Sequence, residues 1–323
     1  MPGRTPALTW RPLVPEDAQA AADLLNAIEA VDRIGEHYTA EDTRQELVDP
    51  YADLERGSLA AFDGDTMAGY MKIRFKPSAD QVHRVFLDGG VHPAHRRRGV
   101  GTALVEAGVE AAKVLHDRHH PGRKLVVDVH KAEHIAGLPE LMRARGFAPA
   151  RWFRRMEHPL EALPAVPIPD GLAVEPWSER AEDDFRRVRN AAFEDHWGAA
   201  PMPMDQWRNK ITNQTFRPPV SFLLRDAATG TPVSVLVTLS WDADTAATGV
   251  RDAHFMVVGT VREYRKRGAA SALLAHALRA AAEQGYDQAS LSVDSADRSG
   301  ASGVFARAGF EPKTRYIRWA LEV

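Results

Sequence analysis

The chain has 323 residues, of which 44% are hydrophobic and 26% are charged, and its formal net charge is −3 at pH 7. This balance gives no reason to expect a nucleic-acid or membrane partner, which would favour a basic excess. The absence of cysteine excludes disulfides, thiolate metal sites and a cysteine nucleophile. At roughly 150 residues per domain, the length predicts two domains.

The first half begins with a short strand that leads into a helix over residues 8–28. Alternating apolar residues at 58–75 surround a Gly/Asp turn and predict a hairpin. Residues 84–115 then combine a strand, a basic turn and a long helix. An apolar strand and a short helix that ends at Gly146 and Phe147 follow, and a last strand is expected to close the half.

The second half repeats this order. A strand and helix occupy residues 172–193, a hairpin 220–241, and a strand, basic turn and long helix 254–285. A short helix again ends in Gly-Phe, at Gly309 and Phe310, before a last strand. The duplication predicts an α/β fold of two similar domains, each with a mixed sheet.

A proline-rich segment separates the halves. Residues 161–171 lack periodicity, and proline restricts both its own backbone and that of the preceding residue, so we expect an extended linker. The predicted domains are therefore residues 1–160 and 172–323. The N-terminal region has no apolar core of a signal peptide, and the sequence has no apolar run of about 18 residues. We accordingly expect a cytoplasmic protein.

A basic turn with small residues opens the long helix of each half. It runs from Arg96 to Ala103 in the first half and from Arg265 to Ser271 in the second. Free N–H groups in the first turn of a helix, together with the helix dipole, bind phosphate. The alternative is an ordinary basic flank. Basic residues oppose the dipole at this end of a helix, however, and their repetition in equivalent positions favours a bound anion.

The motifs Arg96-x-x-Gly99-x-Gly101 and Arg265-x-x-Gly268-x-Ala270 resemble motif A of the GNAT superfamily of acyltransferases. The order of elements around both turns is similar to that family over nearly the whole chain, except the linker. The chain is most similar to tandem members of the mycothiol synthase type. The resemblance implies direct attack of an amine on an acyl-CoA thioester, with acetyl-CoA as co-substrate and no metal.

The resemblance also implies a V-shaped gap between the strand before each turn and the strand after each long helix. Main-chain groups along the first of these strands would bind the pantetheine arm, and the turn would bind the pyrophosphate. The implied donor-binding residues are Val257, Val258, Gly259, Val261, Arg265, Lys266, Arg267, Gly268, Ala269, Ala270 and Ser271 in the second half, and Val91, Arg96, Arg97, Arg98, Gly99, Val100, Gly101 and Thr102 in the first.

The short last helix departs from the family pattern. Members commonly carry a tyrosine there as the acid for the leaving thiolate, whereas this chain has Met142 in the first half and Phe305 in the second. Asp297 replaces the asparagine that begins the region. Neither Met nor Phe donates a proton, so the usual acid is missing from both halves.

Four residues are candidates for catalysis in the second half. His254 lies on the strand where tandem members hold the base, although a hydrogen-bonded structural histidine is equally consistent. Glu194 and His196 belong to a segment that could bind an ammonium acceptor or simply form a capped helix end. Tyr316, on a late strand, could reach the thiolate or pack in the core.

Two features of the first half have alternative interpretations. Asp88 is either a base or a bulge residue beside Gly89. The histidines of residues 116–124 favour a helix C-terminus, where the dipole stabilises them, over a metal site.

The sequence therefore predicts an N-acetyltransferase that acts on a small-molecule amine, as a monomer or homodimer, with the second half as the catalyst. Two alternatives stay open. One is an acyl-CoA-binding sensor or scaffold without turnover, and the other is an enzyme active through its first half.

Overall fold

The computed structural model describes residues 7–75, 82–197, 200–296 and 300–323. The chain forms two compact units, one of residues 1–151 and 316–323 and the other of residues 152–315. Each unit combines a mixed sheet with helices, which confirms the predicted fold class. Among the described residues, no helix is both long enough and apolar enough to cross a bilayer.

In the first unit, five described strands neighbour one another in chain order: β1 (Thr9–Arg11), β2 (Ser58–Asp63), β3 (Thr66–Phe75), β4 (Val82–Val91) and β5 (Lys124–Ala132). Neighbours from β1 to β4 are antiparallel, whereas β4 and β5 are parallel. The predicted hairpin turn between β2 and β3 is confirmed, with Gly64 at a φ of 59° that glycine adopts without strain.

Helices cover both faces of this sheet: α1 (Ala18–Asp32), α2 (Ala40–Leu47), α3 (Leu54–Gly57), α4 (Val100–His119) and α5 (Leu138–Ala144). A Cβ atom on Gly108 of α4 would lie 2.6 Å from Leu87, and one on Gly90 would lie 2.5 Å from Ile28 of α1. Side chains alternate along a strand, so Leu87 and Gly90 face opposite sides. Helices α1 and α4 therefore pack on opposite faces of β4.

The second unit begins within β6 (Ala148–His158) and continues with β7 (Leu172–Pro176), β8 (Phe222–Asp226), β9 (Pro232–Leu239), β10 (Asp252–Thr260) and β11 (Gln288–Asp294). Its helices are α6 (Glu182–Ala192), α7 (Met204–Ile211), α8 (Asp242–Thr248), α9 (Ala269–Glu283) and α10 (Ala301–Arg307). Buried leucines of α9 pack with Phe255, and Phe185 of α6 packs with Trp207 of α7.

Each unit includes a strand that the sequence assigns to the other half. Strand β6 pairs antiparallel with β11 from Phe153–Asp294 to His158–Ala289. Strand β12 (Glu311–Glu322) pairs antiparallel with β5 of the first unit from Tyr316–Ala132 to Glu322–Val126. The expectation that each half is closed by its own last strand is therefore wrong, because apolar alternation predicts a strand but not its partner. The predicted domain limits 1–160 and 172–323 describe the sequence repeat and stay a prediction. The compact units have different limits, because they divide the chain between residues 151 and 152 and between residues 315 and 316.

The predicted Gly-Phe helix ends are confirmed in both units. Gly146 and Gly309 have φ angles of 83° and 97°. The N–H groups of Phe147 and Phe310 each donate to the carbonyl five residues earlier, at 3.0 Å. Both phenylalanines are buried, which fixes the ends of α5 and α10 against the cores.

Candidate active site

The two parallel strand pairs diverge, as the V-shaped gap requires. Pairing of β4 with β5 ends at Phe86–Asp128, although β4 continues to Val91. Pairing of β10 with β11 ends at His254–Ser290, although β10 continues to Thr260. The implied pantetheine-binding residues Val257, Val258 and Gly259 lie on the diverging part of β10, and Val261 follows it. Val91 is the last residue of β4.

The basic turns have nearly the same backbone in both units. Arg97 and Lys266 have φ angles of 62° and 61°, which non-glycine residues seldom adopt. Gly99 and Gly268 follow at 85° and 83°. The first helical bonds join Ala103 N to Gly99 O and Ala272 N to Gly268 O, both at 3.0 Å. The N–H groups that precede them, on Val100, Gly101 and Thr102 and on Ala269, Ala270 and Ser271, begin each helix and suit a phosphate.

The basic side chains of these turns have two different orientations. Arg97, Arg98, Lys266 and Arg267 are exposed, which is compatible with phosphate contacts. The Arg96 guanidinium instead forms two 2.7 Å bonds with Asp32, and Arg265 donates to the carbonyls of Thr260 and Ala192 at 3.1 and 2.9 Å. The implied phosphate role of the Arg96 and Arg265 side chains is therefore unsupported by their geometry.

A cavity of about 530 Å³ lies in the first unit beside the turn. Its walls include Gly99 and Gly101 of the turn, residues 87–91 on the diverging part of β4, and Val129 of β5. Glu36 and Tyr38, from the segment after α1, line it as well. One cavity thus borders the phosphate-binding turn, the divergent strand and a polar wall.

We call residues 33–38 the α1 segment. The carboxylate of Glu29 accepts from the N–H groups of Ile34 and Gly35 at 2.8 and 2.9 Å. The side-chain amide of Asn26 donates to the carbonyl of Tyr38 at 2.8 Å and accepts from the N–H of Tyr38 at 3.0 Å. The Tyr38 hydroxyl donates to Glu36 at 2.9 Å. Side chains of α1 therefore hold this wall of the cavity in place.

Sequence reasoning missed Glu36 and Tyr38. The signal was the internal repeat, because Glu36-His37-Tyr38 follows α1 just as Asp195-His196-Trp197 follows α6. An acid, a histidine and an aromatic residue thus recur after the first long helix of both halves. The sequence analysis considered only the segment after α6, through Glu194 and His196.

Titratable groups at the first cavity have shifted pKa values. Burial raises the pKa of Asp88, but the neighbouring Arg74 guanidinium outweighs it and leaves the pKa below its ordinary value. Burial raises the pKa of Tyr70 well above its usual range, and the pKa of Tyr38 is raised in the same way. Asp88 is therefore ionised, and both tyrosines are protonated, at neutral pH. The bulge interpretation of Asp88 is wrong, because β3 and β4 pair without a register shift from Gly69–Val91 to Phe75–Val85.

In the second unit, His254 occupies the last residue pair before β10 and β11 diverge. Its Nδ1 atom lies 2.9 Å from the Ser290 hydroxyl, which donates to Asp252 at 2.6 Å. Arg155 of β6 also donates to Asp252, at 2.9 Å. Burial and the positive charge of Arg155 lower the pKa of His254 to about 3, so the imidazole is neutral at physiological pH. A β-bulge in β10 between Phe255 and Val257 follows directly.

Glu194 and His196 lie at the opposite end of β10. Their neighbour Phe193 packs on Gly259, where an added Cβ would lie 2.9 Å from the ring, and Asp195 pairs with Arg262. The five residue steps from His254 to Gly259 span roughly 16 Å of extended strand. The structure therefore does not bring His254 together with Glu194 and His196.

The remaining candidates also have defined positions. Tyr316 is buried, pairs with Ala132 and stacks its ring on His130 at 5.3 Å, so it packs within the first unit. Met142 and Phe305 are both buried, and Asp297 lies outside the described residues. His116 and His119 occupy the last turn of α4, which confirms a helix C-terminus in this region.

Each unit thus has a parallel strand pair that diverges beside a helix N-terminus of a kind that suits a phosphate. The model of the acetyltransferase (GNAT) family matches residues 23–129 and 182–310. The chain belongs to this family. It is an acetyl-CoA-dependent N-acetyltransferase that transfers acetyl groups to an amine.

Curated relatives match the chain over nearly its full length. The mycothiol acetyltransferase of Streptomyces coelicolor is 27% identical over 314 residues, which cover 96% of this chain and 93% of the relative. The mycothiol acetyltransferase of Streptomyces avermitilis is 30% identical over 307 residues, which cover 94% and 91%.

Solved structures share the tandem architecture. A GCN5-related N-acetyltransferase from Sphaerobacter thermophilus aligns with a TM-score of 0.73 at 25% identity, covering 98% of this chain and 95% of that one. A tandem GNAT protein from the clavulanic acid biosynthesis pathway aligns with a TM-score of 0.68 at 19% identity, covering 98% of each chain, and supports the fold alone.

Proposed function

We propose that this acetyltransferase modifies a small-molecule amine and that its donor binds in the cavity of the first unit. The observation that carries the proposal is one cavity bordered by the turn, the divergent part of β4 and the α1 segment. Its volume of about 530 Å³ is typical of small-molecule sites, which range over roughly 300–1,000 Å³. The donor pyrophosphate would lie at the turn and the amine beside the α1 segment.

The residues of this cavity suit acetyl transfer. The reaction forms a bond between the amine nitrogen and the acetyl carbon, breaks the C–S bond, and requires proton transfer from the ammonium and to the thiolate. Asp88 is an ionised carboxylate on β4 and is our candidate acceptor of the ammonium proton. Tyr38 and Tyr70 keep their protons and are candidates to protonate the thiolate, a role that Met142 cannot perform.

The second unit is a second candidate for catalysis, favoured by a different observation. The His254–Ser290–Asp252 hydrogen-bond chain lies where the gap of this unit begins. A neutral imidazole there can accept a proton or hydrogen bond from an amine. In this alternative Lys266, Arg267 and the N–H groups of residues 269–271 bind the donor phosphates, and Glu194 and His196 lie near the turn and not near the reacting amine.

The acceptor is proposed only as a class. Because relatives from two Streptomyces species are mycothiol acetyltransferases, a test panel should include the deacetylated form of mycothiol. Simple primary amines, amino acids and aminoglycosides complete the panel. Identities of 27% and 30% leave room for a different acceptor.

The test compares thiol release from acetyl-CoA by the wild type, Gly99→Glu, Gly268→Glu and the double variant across this panel. A glutamate at either turn places an anion where a phosphate would bind, and no atom lies within 4 Å of a Cβ at Gly99. A positive φ adds strain at both positions equally, so Gly268→Glu is the matched control for Gly99→Glu.

We expect Gly99→Glu to abolish turnover and Gly268→Glu to retain it. Loss only in Gly268→Glu would transfer the active site to the second unit. Calorimetric titration with CoA reports donor binding independently of turnover, and thermal unfolding shows whether each variant is folded. Equal CoA affinity of the Gly268→Glu chain and the double variant would contradict donor binding at the first turn.

A further inference from the structure

The first arginine of each basic turn is hydrogen-bonded through its side chain to groups at the end of the preceding strand and of the unit's first long helix. Arg96 donates through both terminal nitrogens to the two carboxylate oxygens of Asp32 at 2.7 Å, and its Nε donates to the Val91 carbonyl at 3.3 Å. The Asp32 side chain is 6% exposed and the Arg96 side chain 26%. A bidentate pair of this kind fixes geometry as well as charge. Three of the five N–H donors of the Arg96 side chain, which also lines the cavity, are thus held by Asp32 and Val91.

Asp32 connects three parts of the first unit. It is the last residue of α1, and the α1 segment begins directly after it. Its backbone carbonyl accepts from His134 Nε2 at 2.7 Å, which links it to the loop between β5 and α5. Ile34, Glu36 and Tyr38 of the α1 segment line the cavity. The Arg96–Asp32 pair therefore joins the donor turn to the polar wall.

The second unit shows the same arrangement with a weaker partner. Arg265 donates to the carbonyl of Thr260, as Arg96 does to Val91, and to the carbonyl of Ala192 at the end of α6. Arg96 forms a bidentate pair with a carboxylate, which adds geometric specificity, whereas Arg265 makes single bonds to neutral carbonyls. The link between turn and first helix is thus charged in the first unit and neutral in the second.

We propose that Arg96 is a positioning residue that acts through Asp32, holding the α1 segment against the donor turn, and that it is not a phosphate ligand. The inference rests on the proposed catalytic role of the first unit. In this proposal, the first arginine of the motif positions the α1 segment, beside which the acceptor amine would bind. The phosphates would be bound by the backbone N–H groups and by the exposed Arg97 and Arg98.

The test uses two donors in the full-length Gly268→Glu chain, which leaves only the first turn intact. Acetyl-CoA carries the phosphates, whereas S-acetylpantetheine lacks them. The variants are Arg96→Gln, Arg96→Lys, Asp32→Asn and the Arg96→Gln/Asp32→Asn double variant. Arg98→Gln, on the exposed side of the same turn, is the matched control for a lost phosphate contact.

A positioning residue affects both donors equally. We expect Arg96→Gln and Asp32→Asn each to lower kcat/KM about tenfold with either donor, since small misplacements are costly to catalysis. The double variant should be no worse than the single ones, because they break one shared interaction. Arg96→Lys should restore part of the activity. Arg98→Gln should raise KM for acetyl-CoA and leave S-acetylpantetheine unchanged.

A loss confined to acetyl-CoA in Arg96→Gln, with no effect of Asp32→Asn, would overturn the proposal. Hydrogen exchange of residues 33–38 gives a readout that does not require turnover. Both single variants should accelerate exchange there several-fold, and unchanged exchange would also overturn it. If the Gly268→Glu chain itself has no activity, the proposed catalytic unit is wrong. The role of Arg96 is then decided by hydrogen exchange and by CoA affinity. A tenfold loss of CoA affinity in Arg96→Gln would make Arg96 a phosphate ligand.

Discussion

His254 Nδ1 lies 2.9 Å from the hydroxyl oxygen of Ser290 at the point where the strands of the second unit diverge. The hydroxyl has one proton, and it is donated to Asp252 at 2.6 Å. His254 must therefore be the donor in its bond to Ser290, which places the imidazole proton on Nδ1. The lone pair is left on Nε2, the atom that could accept a proton from an amine.

This arrangement predicts the pH dependence of any turnover by the second unit. The pKa of His254 is lowered to about 3 by burial and Arg155, so its titration lies far below the ordinary value of roughly 6.5. In the Gly99→Glu chain, kcat/KM should show no ionisation of this histidine above about pH 4. His254→Gln should lower kcat by roughly 10²-fold or more if Nε2 is the base.

The measurement is a pH–rate profile of the Gly99→Glu chain with and without the His254→Gln substitution. A limb near pH 6.5 that disappears in His254→Gln would show an imidazole exposed to solvent and would contradict the buried network. Equal rates in the two chains would leave His254 a structural histidine, the alternative that its strand position also allowed.

A histidine pair in the first unit predicts loss of stability in acid. The Nδ1 atoms of His83 and His116 lie 3.0 Å apart, and the buried Nε2 of His83 has no hydrogen-bond partner among the residues that the structure describes. Burial and the nearby histidines lower the pKa of His83 to about 4. Between about pH 6.5 and 4, the unfolded chain binds a proton that the folded His83 does not.

The free energy of unfolding should therefore fall as the pH drops through this window and should level off above about pH 6.5. His83→Leu removes the titrating group and should make the dependence shallower. Val114→Ala, at an exposed position of α4, the helix that carries His116, is the control and should match the wild-type slope. Urea unfolding at a series of pH values measures both, and parallel slopes for wild type and His83→Leu would contradict the assignment.

Sequence reasoning predicted the elements better than their pairing. The strands, the hairpins, the Gly-Phe helix ends and both basic turns follow from local patterns that one segment carries by itself. The partners of β6 and β12 do not, because alternation specifies which face of a strand is buried but not which strand lies beside it.

The candidate site was only partly predictable. The turn at Arg96 was recognisable because glycine and basic residues have a direct role there, but the pairing of Arg96 with Asp32 joins residues from distant parts of the chain. Glu36 and Tyr38 were overlooked although their counterparts after α6 were noted. The cavity itself depends on the divergence of β4 and β5, which no local pattern encodes.

No side chain fits at Gly89 of β4 without displacing the neighbouring backbone. Its φ is 140°, and an added Cβ would lie 2.1 Å from the Tyr70 carbonyl oxygen and 2.8 Å from Met71 Cα. Both neighbours are backbone atoms, so β3 or β4 would have to move. Gly89→Ala should destabilise the chain by about 3 kcal/mol or more, and CoA binding in the first unit should weaken with it.

Gly122→Ala is the matched control for this substitution. Gly122 has a φ of 80° but no atom within 4 Å of an added Cβ, so the change should cost only about 1 kcal/mol. Chemical denaturation of both variants gives the comparison. Equal costs for the two would show that β4 relaxes without strain and would contradict the close contact with Tyr70.

The strand contributed by β12 predicts that the first unit depends on the end of the chain. Residues 316–322 pair with β5, and Trp319 on this strand is 1% exposed with the Arg143 guanidinium 5.5 Å from its ring. Deleting residues 316–323 removes these pairings and uncovers an edge of β5.

Trp319→Ala, a milder change, should destabilise the first unit by about 3–5 kcal/mol, whereas Trp10→Ala, at a residue 38% exposed, should have little effect. Hydrogen exchange of β4 and β5 should accelerate in the truncated chain and in Trp319→Ala before exchange in β9 and β10 does. Protection of β4 and β5 at wild-type levels after truncation would mean that the first half folds without β12, as the predicted limits of 1–160 imply.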